Sequence, residues 1–483
     1  MKSPIFSGFN EDRTKSGSSD ICINLYPEIT LDEQGHLTFG VLLERPGLSA
    51  PLCTVGTGPV RGMFTSKSGL LYVVSREYVY TVSAAWVVTQ IGQIGSYKGP
   101  VSIIENPTQI LIVDGYSGWC YDTIALTFKK VIPNSDTDAD NPTVAVYQDG
   151  FGLVNSSGTN QIYQSNYNDL SKYASLTGSG GATANNAYIQ GNAKDVLALF
   201  DLKQEVWVFK KDAMEVWINQ GSAGFAFAPL QGVYLPVGIL APASVARLGD
   251  SIVWLGASDN GIGNVFKSSG YNYKNITPSA LSKKFSDSRA QQATAYSYQS
   301  EGHNFYVLSF DDETWAYDDS SGKWAQRATF IGGSYGREIP NCHAEFNGMN
   351  LVGDATTGHI YQLVNDSFTD NGQPIRWARS WMAAESNVPI SFNSLKILME
   401  TGITVTNGSN PQVDLRFSDD GGYTWNGPFQ MPAGKIGETA WRVMLNRLGS
   451  TSHERGLERV WEISSSDSFL AKITGAEWEG GPA

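Results

Sequence analysis

Apolar and polar positions alternate along this chain in short runs, and one stretch shows the unit from which most of it is built. Residues 305–310, FYVLSF, alternate their faces and stop at the acidic turn Asp311-Asp312-Glu313. Thr314-Trp315-Ala316-Tyr317 then begins a second run that ends in a Ser-Gly-Lys turn. A period of two on both sides of a turn predicts a β-hairpin, with Trp315 and Tyr317 on one face of their strand. A lone hairpin is marginal in water, so it needs neighbours.

The hairpin recurs. Aromatic anchors in the second strand fall at Tyr80, Tyr121, Tyr163, Trp217, Phe266, Tyr317 and Tyr361, with gaps of 41, 42, 54, 49, 51 and 44 residues. A further strand-like run starts roughly 10–14 residues before each anchor, and a third lies before that, a three-part match repeated in order. Three strands per repeat with room for a fourth predict an all-β fold, a seven-bladed β-propeller over residues 51–374, six being the alternative blade count. Residues 1–50 lack the pattern. There the run 37–43 is placed to close the ring by joining the last blade, since a propeller must not leave its first and last sheets open. Residues 170–192 form an insertion between the third and fourth blades, with a Gly-rich centre at 177–181. From residue 375 the alternating runs lengthen (375–382, 395–400, 413–417, 441–445, 460–463 and 469–473), with turns at Asn407-Gly408 and Gly421-Gly422. They predict a separate C-terminal β-sandwich over residues 375–483.

Composition agrees with many short strands and tight turns: 12% aromatic residues, 51 Gly and only 17% charged residues in 483. The net charge of −13 excludes a surface built mainly to grip phosphates, which requires Lys and Arg to replace counterions. No apolar run approaches the roughly 20 residues of a membrane span, and the first residues lack the apolar core of a secretion signal, so a soluble protein made in the cytoplasm is expected. Cys22, Cys53, Cys120 and Cys342 are too scattered for a disulfide framework and are expected as reduced, structural thiols.

Ser418-Asp419-Asp420-Gly421-Gly422-Tyr423-Thr424-Trp425 fits the Asp-box pattern S-x-D-x-G-x-T-W. In it the Asp420 carboxylate accepts bonds from backbone and hydroxyl groups around a turn, Gly422 permits positive φ, Ser418 and Thr424 complete the staple, and Trp425 is expected to pack beneath it; the role is structural. Asp136-x-Asp138-x-Asp140 begins like a calcium loop, but Asn141 and Tyr147 stand where Gly and Glu are required. The cluster Asp311, Asp312, Glu313, Asp318 and Asp319 is expected to stay exposed through mutual repulsion. The five histidines have no zinc spacing, and no catalytic, cofactor-binding or metal residue is assigned. A sialidase-like or glycan-binding propeller acting on host surface carbohydrate is the alternative reading. As an enzyme it would need paired carboxylates and several arginines converging on a carboxylate, and residues 59–366 supply Arg61, Arg76, Arg247, Arg289, Arg327 and Arg337.

Ile23-Asn24-Leu25-Tyr26-Pro27-Glu28, Arg45-Pro46-Gly47-Leu48, the repeated hairpins, and the close Trp441-Arg442-Val443, Arg447-Leu448-Gly449 and Arg459-Val460-Trp461-Glu462-Ile463 together resemble the packaged-DNA stabilisation, or tail-hub, proteins of short-tailed phages. The resemblance runs over nearly the whole chain and carries no catalytic residues. It implies a structural virion protein of the phage tail, assembled in the host bacterial cytoplasm into a ring, a hexamer, that completes the head. The implied partners are the portal-adaptor (head-to-tail connector) protein, the tail needle, and tailspikes or tail fibres. DNA would pass through the channel without sequence-specific binding.

Overall fold

The computed structural model describes residues 5–11, 19–32, 34, 37–133, 140–173, 176–178, 181–183, 186–189, 194–222, 224–257, 263–286, 288–382, 388–403, 405, 408–451, 459–467 and 469–483. The chain is built almost wholly of strands. Six four-stranded antiparallel units follow one another, each laid down in sequence order from first to last strand. The first runs Val60–Thr65, Leu71–Ser75, Tyr78–Val82 and Val88–Gln93. The sixth runs Thr294–Ser300, His303–Ser309, Thr314–Asp318 and Lys323–Arg327. Between them the second to fifth units start at Ser102, Ala145, Val196 and Ala246. A seventh set has three strands from the same part of the chain, Pro340–Phe346, Met349–Asp354 and His359–Val364.

The first strands of these units pack against one another in cyclic order, the fourth reaching the fifth through the turn Pro242–Ser244, and the last, Pro340–Phe346, lies against the first, Val60–Thr65. Asn341 Nδ2 donates to the Val60 carbonyl at 2.8 Å, and Thr65 Oγ1 to the Glu345 carbonyl at 2.6 Å. The ring is therefore closed, the arrangement of a β-propeller. Its core lies between neighbouring sheets, where apolar residues of successive units interdigitate.

The seventh unit takes its outer pairing from the N-terminal part of the chain. Cys53–Thr54 pairs antiparallel with His359 and Ile360, and Gly47–Leu48 with Leu363 and Val364. The run 37–43 does not make this closure. Leu37–Glu44 pairs instead with Leu25–Leu31 on one side and with Lys472–Pro482 on the other. Both runs precede the first unit, but Thr54 lies only a few residues before Val60, so the nearer segment already sits beside the ring's junction. Gly47 is required there, because a Cβ would stand 2.4 Å from the Thr369 carbonyl and 2.6 Å from that of Ser367. Gly47→Ala is expected to cost about 1–3 kcal/mol through overpacking against backbone that cannot yield, read as a lower thermal midpoint.

Beyond residue 374, two sheets share one apolar cluster. One has the order Leu25–Leu31, Leu37–Glu44, Lys472–Pro482, Ile390–Met399, Val443–Asn446. The other continues the sixth unit through Cys22–Ile23 to Trp377–Met382, Val460–Ser465, Gln412–Ser418 and Asn426–Pro432. Leu25, Leu42, Leu395, Ile397 and Ile473 of the first sheet join Cys22, Trp377, Trp381, Leu415 and Trp461 of the second in that cluster. The N-terminal residues are thus strands of the same sheets as the C-terminal ones. Of the turns expected here, Gly421 and Gly422 take φ of 72° and 93°, whereas Asn407 lies outside the described residues.

Other expectations meet the structure in particular ways. Within 170–192, Asn186–Tyr188 is the outer strand of the third unit, and Leu176–Gly178 pairs with Gly181–Thr183 in a small hairpin of its own. Asp136 and Asp138 lie outside the described residues. Cys22 and Cys120 are buried and Cys53 and Cys342 half-buried, all four as free thiols. Burial pushes the Cys120 and Cys342 thiols up to about 12.

Candidate functional site: the buried junction

Where the N-terminal segment passes between the closed ring and the C-terminal sheets, the chain buries a cluster of charged and polar groups. Arg45, directly after the strand Leu37–Glu44, is 1% exposed. Its guanidinium donates to both carboxylate oxygens of Asp370, at 2.6 and 3.1 Å, to Asn24 Oδ1 at 2.9 Å and to the Pro46 carbonyl at 2.9 Å. Glu338 stands 3.5 Å away and is equally buried. A planar fork of donors matches a carboxylate two-fold, which explains why Arg and not Lys serves here.

Asn24 is the second hinge of this junction. It adopts φ of 56°, a left-handed conformation that Asn tolerates better than most residues. Its amide donates to the carbonyls of Ala328 and Arg376, each at 2.8 Å, while its Oδ1 accepts from the Ala328 N–H at 2.9 Å as well as from Arg45. One side chain thus binds the end of the sixth unit, the start of the C-terminal sheets and the N-terminal strand. Arg379, fully buried, extends the pattern by donating to the Ile5 and Ile21 carbonyls and to Ser7 Oγ. Arg327 donates to the Tyr298 hydroxyl at 2.5 Å and lies over the Tyr298 and Phe305 rings. Glu44 is 4% exposed and accepts the Ala471 N–H at 3.0 Å. Burial drives its carboxyl up to about 8 and Asp370 adds to the rise, against the Ala471 bond and Arg45, which pull it down.

A second buried pair holds the C-terminal sheets. Arg459 binds Asp419 through Nε at 2.5 Å and NH2 at 2.8 Å, and its guanidinium lies 4.0–5.2 Å from the Phe417, Phe392 and Trp461 ring centres. Asp419 begins the Asp-box turn between Gln412–Ser418 and Asn426–Pro432. There Asp420 Oδ1 accepts Ser418 Oγ at 2.7 Å and the N–H groups of Tyr423 and Thr424, while Oδ2 accepts Thr424 Oγ1 at 2.6 Å. The Gly422 N–H donates to Ser418 Oγ at 2.8 Å and Trp425 Nε1 to the Gly422 carbonyl at 3.1 Å. Desolvation raises the Asp420 carboxyl, but the bonds from Ser418 and Thr424 outweigh it and hold it down at about 2. Trp425 does not lie buried under the turn. It is half-exposed, with Arg416 over its ring at 4.4 Å. These are bonds of a turn, made within eight residues. Asp420→Ala is expected to cost about 1 kcal/mol, seen in urea unfolding, with the closed ring unchanged.

The acidic cluster divides. Asp318 is buried, contrary to the exposure expected of it, because His303 Nδ1 at 3.0 Å and the Ser321 hydroxyl at 2.6 Å supply the partners that offset desolvation. Asp319 pairs with Lys267 at 2.5 Å and Asp312 with Arg289. Among the described residues no three or more His, Cys, Asp or Glu side chains gather as metal ligands. Of the six ring arginines, Arg327 and Arg337 lie near the buried Glu338, which Arg45 also faces, and the other four are held elsewhere. Arg61 is held by the carbonyls of Arg76, Ser96, Lys98 and Gly99, Arg76 pairs with Glu77, and Arg247 binds the Gly249 carbonyl. Arg289, Arg327 and Arg337 bind Asp312, Tyr298 and Asn341 respectively.

With this geometry in view, a sequence profile of the family described as bacteriophage P22 Gp10, β-propeller, a phage stabilisation family, matches residues 1–368. The chain belongs to this family. Membership places it among the structural proteins of a phage particle, and the β-propeller of the family description is the closed ring of sheets seen here. No curated protein matches the chain. Among solved structures, it is similar to the WD40 β-propeller domain of Doa1 at 11% identity and a TM-score of 0.39, covering 65% of this chain and 95% of that one. It is similar to the N-terminal domain of Nup159 at 12% identity and 0.38, covering 71% and 98%. The Neurospora crassa Pan2 WD40 domain gives 9% identity and 0.41, covering 66% and 97%. No helix among the described residues is long and apolar enough to cross a membrane.

Asn24, Arg45, Gly47 and Arg459, noted in the sequence only as pieces of a resemblance, are the residues that bind the parts of the molecule together. The signal was present as charged residues directly beside apolar strands, Glu44-Arg45 above all, but Asp370 and Ala471, which Arg45 and Glu44 bind, lie more than 300 residues away.

Proposed function

We propose that the protein is a phage tail hub: it completes the head after DNA packaging, retains the packaged genome, and joins the portal-adaptor ring to the tail needle and to tailspikes or fibres. Membership of the phage stabilisation family carries this reading. In it, each of the seven sets of strands is one propeller blade, and the two sheets beyond residue 374 are a β-sandwich that includes the N-terminal strands. Several copies, six in the ring we propose, would surround a DNA-sized channel, with cyclic symmetry closing the assembly.

The physical features support a passive and rigid role. Internal pressure from a packed genome loads a plug mechanically, and the ring is braced by closure onto residues 47–54 and by the buried Arg45 and Asn24 bonds. A net charge of −13 disfavours a sticking interaction with phosphates, so DNA would slide during ejection. The arginines near Glu338 surround a carboxylate of the chain itself that is 2% exposed, which gives no support to sialidase-like chemistry on host glycans. Antibody labelling of intact particles tests the location: label is expected at a single vertex of DNA-filled heads, and label scattered over the capsid, or absent from it, would contradict the proposal.

A further inference from the structure

The gaps between the outer parts of neighbouring sheets are not all filled alike. Between the fifth and sixth sheets, Gly8 and Phe9 run beside the outer strand Lys323–Arg327, and the Phe9 N–H donates to the Trp324 carbonyl at 2.8 Å. The Phe9 ring is 4% exposed, stands edge-on to Trp315 with centroids 4.6 Å apart, and joins Phe285 and Trp324 in one cluster. An extended segment of the chain itself thus closes this gap with a main-chain bond and an aromatic plug.

Between the third and fourth sheets the corresponding gap holds a cleft among the described residues. A cleft of about 600 Å³ is lined by Ala187 of the third sheet's outer strand and by Trp217, Phe225, Phe227 and Tyr234 of the fourth sheet and the turn before its outer strand. The strand Phe227–Leu235 opens it. Its register with Met214–Asn219 jumps from Glu215↔Tyr234 to Trp217↔Pro229, so Leu230–Val233 swing out of the ladder without register partners. Gly232, with φ of 83°, turns this bulge. The floor is charge-balanced: Glu215, 6% exposed, binds Lys210 Nζ at 2.6 Å and Trp217 Nε1 at 3.2 Å. A balanced, aromatic-walled floor matches an uncharged occupant, and an unpaired strand edge beside it matches a main chain.

We propose that this cleft binds an extended polypeptide segment of a partner protein, which runs along the bulged edge at Leu230–Val233 and seats an uncharged aromatic side chain against Trp217, Phe225 and Tyr234. Phe9 performs the same task for the chain's own gap between the fifth and sixth sheets. The proposal is independent of DNA retention, so its test fails or succeeds separately from the hub reading.

The test uses the full chain as bait for a yeast-displayed random heptapeptide library, followed by titration of the enriched peptides as synthetic compounds. Enriched sequences are expected to carry Phe, Tyr or Trp among strand-forming residues. Their affinity should fall by about tenfold or more in Tyr234→Asp, at the exposed mouth, and in Phe225→Ser, but not in Tyr116→Ser, which alters an exposed aromatic in a turn of the second unit. No aromatic enrichment, or peptides that bind the Tyr234 and Phe225 variants as tightly as the parent, would overturn the proposal. So would an oligosaccharide array bound in a Tyr234-dependent way while the peptides are not.

Discussion

Arg45→Met is expected to destabilise the protein by about 3–5 kcal/mol. The reason is what the change leaves behind. Asp370 is 6% exposed and Glu338 2%, and the Arg45 guanidinium stands against both. Without it, two carboxylates and the Asn24 amide oxygen sit in a site closed to water, and an uncompensated buried charge costs far more than a missing surface pair. Because this cluster ties the N-terminal strand to the ring, the loss should show as a lower unfolding midpoint together with early proteolysis between residues 24 and 54. Adding Asp370→Leu to Arg45→Met should recover part of the loss, since it removes one of the orphaned charges. A midpoint within about 1 kcal/mol of the parent for Arg45→Met alone would mean that the junction is wet and contributes little.

Glu44→Gln is expected to change how stability depends on pH. Burial holds the Glu44 carboxyl at about 8 in the folded chain, against an ordinary value of 4.5. Between those two pH values the folded state keeps a proton that the unfolded chain has released, so stability falls as pH rises across this window. The favourable contribution of the neutral acid is complete below pH 4.5 and is lost as pH passes through 8. Gln is the neutral isostere, and its carbonyl can still accept the Ala471 N–H. The variant should therefore match the parent near pH 4 and exceed it near pH 9, by on the order of 5 kcal/mol if the shift is fully expressed. Subtracting the two thermal midpoints at each pH isolates Glu44 from the other titrating groups. A difference that stays flat from pH 5 to 9 would show that the carboxyl is ionised without penalty, with Arg45 as its counter-charge.

The two predictions concern residues that local pattern could not interpret, and the contrast with what was legible is physical. Strand pairs within a unit are joined by turns of a few residues, so alternation and turn chemistry are written next to each other. Phe305 to Tyr317 could be read because its partners are its neighbours: Tyr306 pairs with Tyr317 and Leu308 with Trp315. The Asp-box is likewise local, and its bonds from Asp420 to Tyr423 and Thr424 run as the residue order suggests. Pairings across the chain carry no such mark. Leu43 pairs with Lys472 and Ile23 with Gln326 and Ala378, and nothing near residue 43 distinguishes that partner from the last ring strand. The strand Asn426–Pro432 escaped notice because it is an edge strand, exposed at nearly every position and holding two prolines, so it lacks the alternation that burial on one face imposes. The burial of Asp318 is hidden from local pattern for a similar reason. Its repulsive neighbours are adjacent in sequence, whereas its hydrogen-bond partner His303 comes from the preceding strand.

The junction also gives the proposed role a mechanical logic. A hub that must hold against a packed genome cannot let its ring open, and the pairing most exposed to opening is the one that joins the two ends of the propeller. In this chain that pairing is interrupted: Gly47–Leu48 and Cys53–Thr54 pair with His359–Val364, and the N–H groups of Ser49, Leu52 and Val55 add bonds to the Gln362, Ile360 and Gly358 carbonyls. The buried cluster immediately upstream anchors the same segment by charge-assisted bonds, so Arg45 and Asn24 reinforce the interrupted ladder.

The central claim, retention of the packaged genome, is tested most directly by the nuclease sensitivity of DNA in particles assembled without this protein. The account predicts that heads package DNA, leak it and lose it to added nuclease, while particles containing the protein keep theirs. Filled heads that hold their DNA against nuclease yet fail to infect would contradict it and would move the protein's task to the host surface.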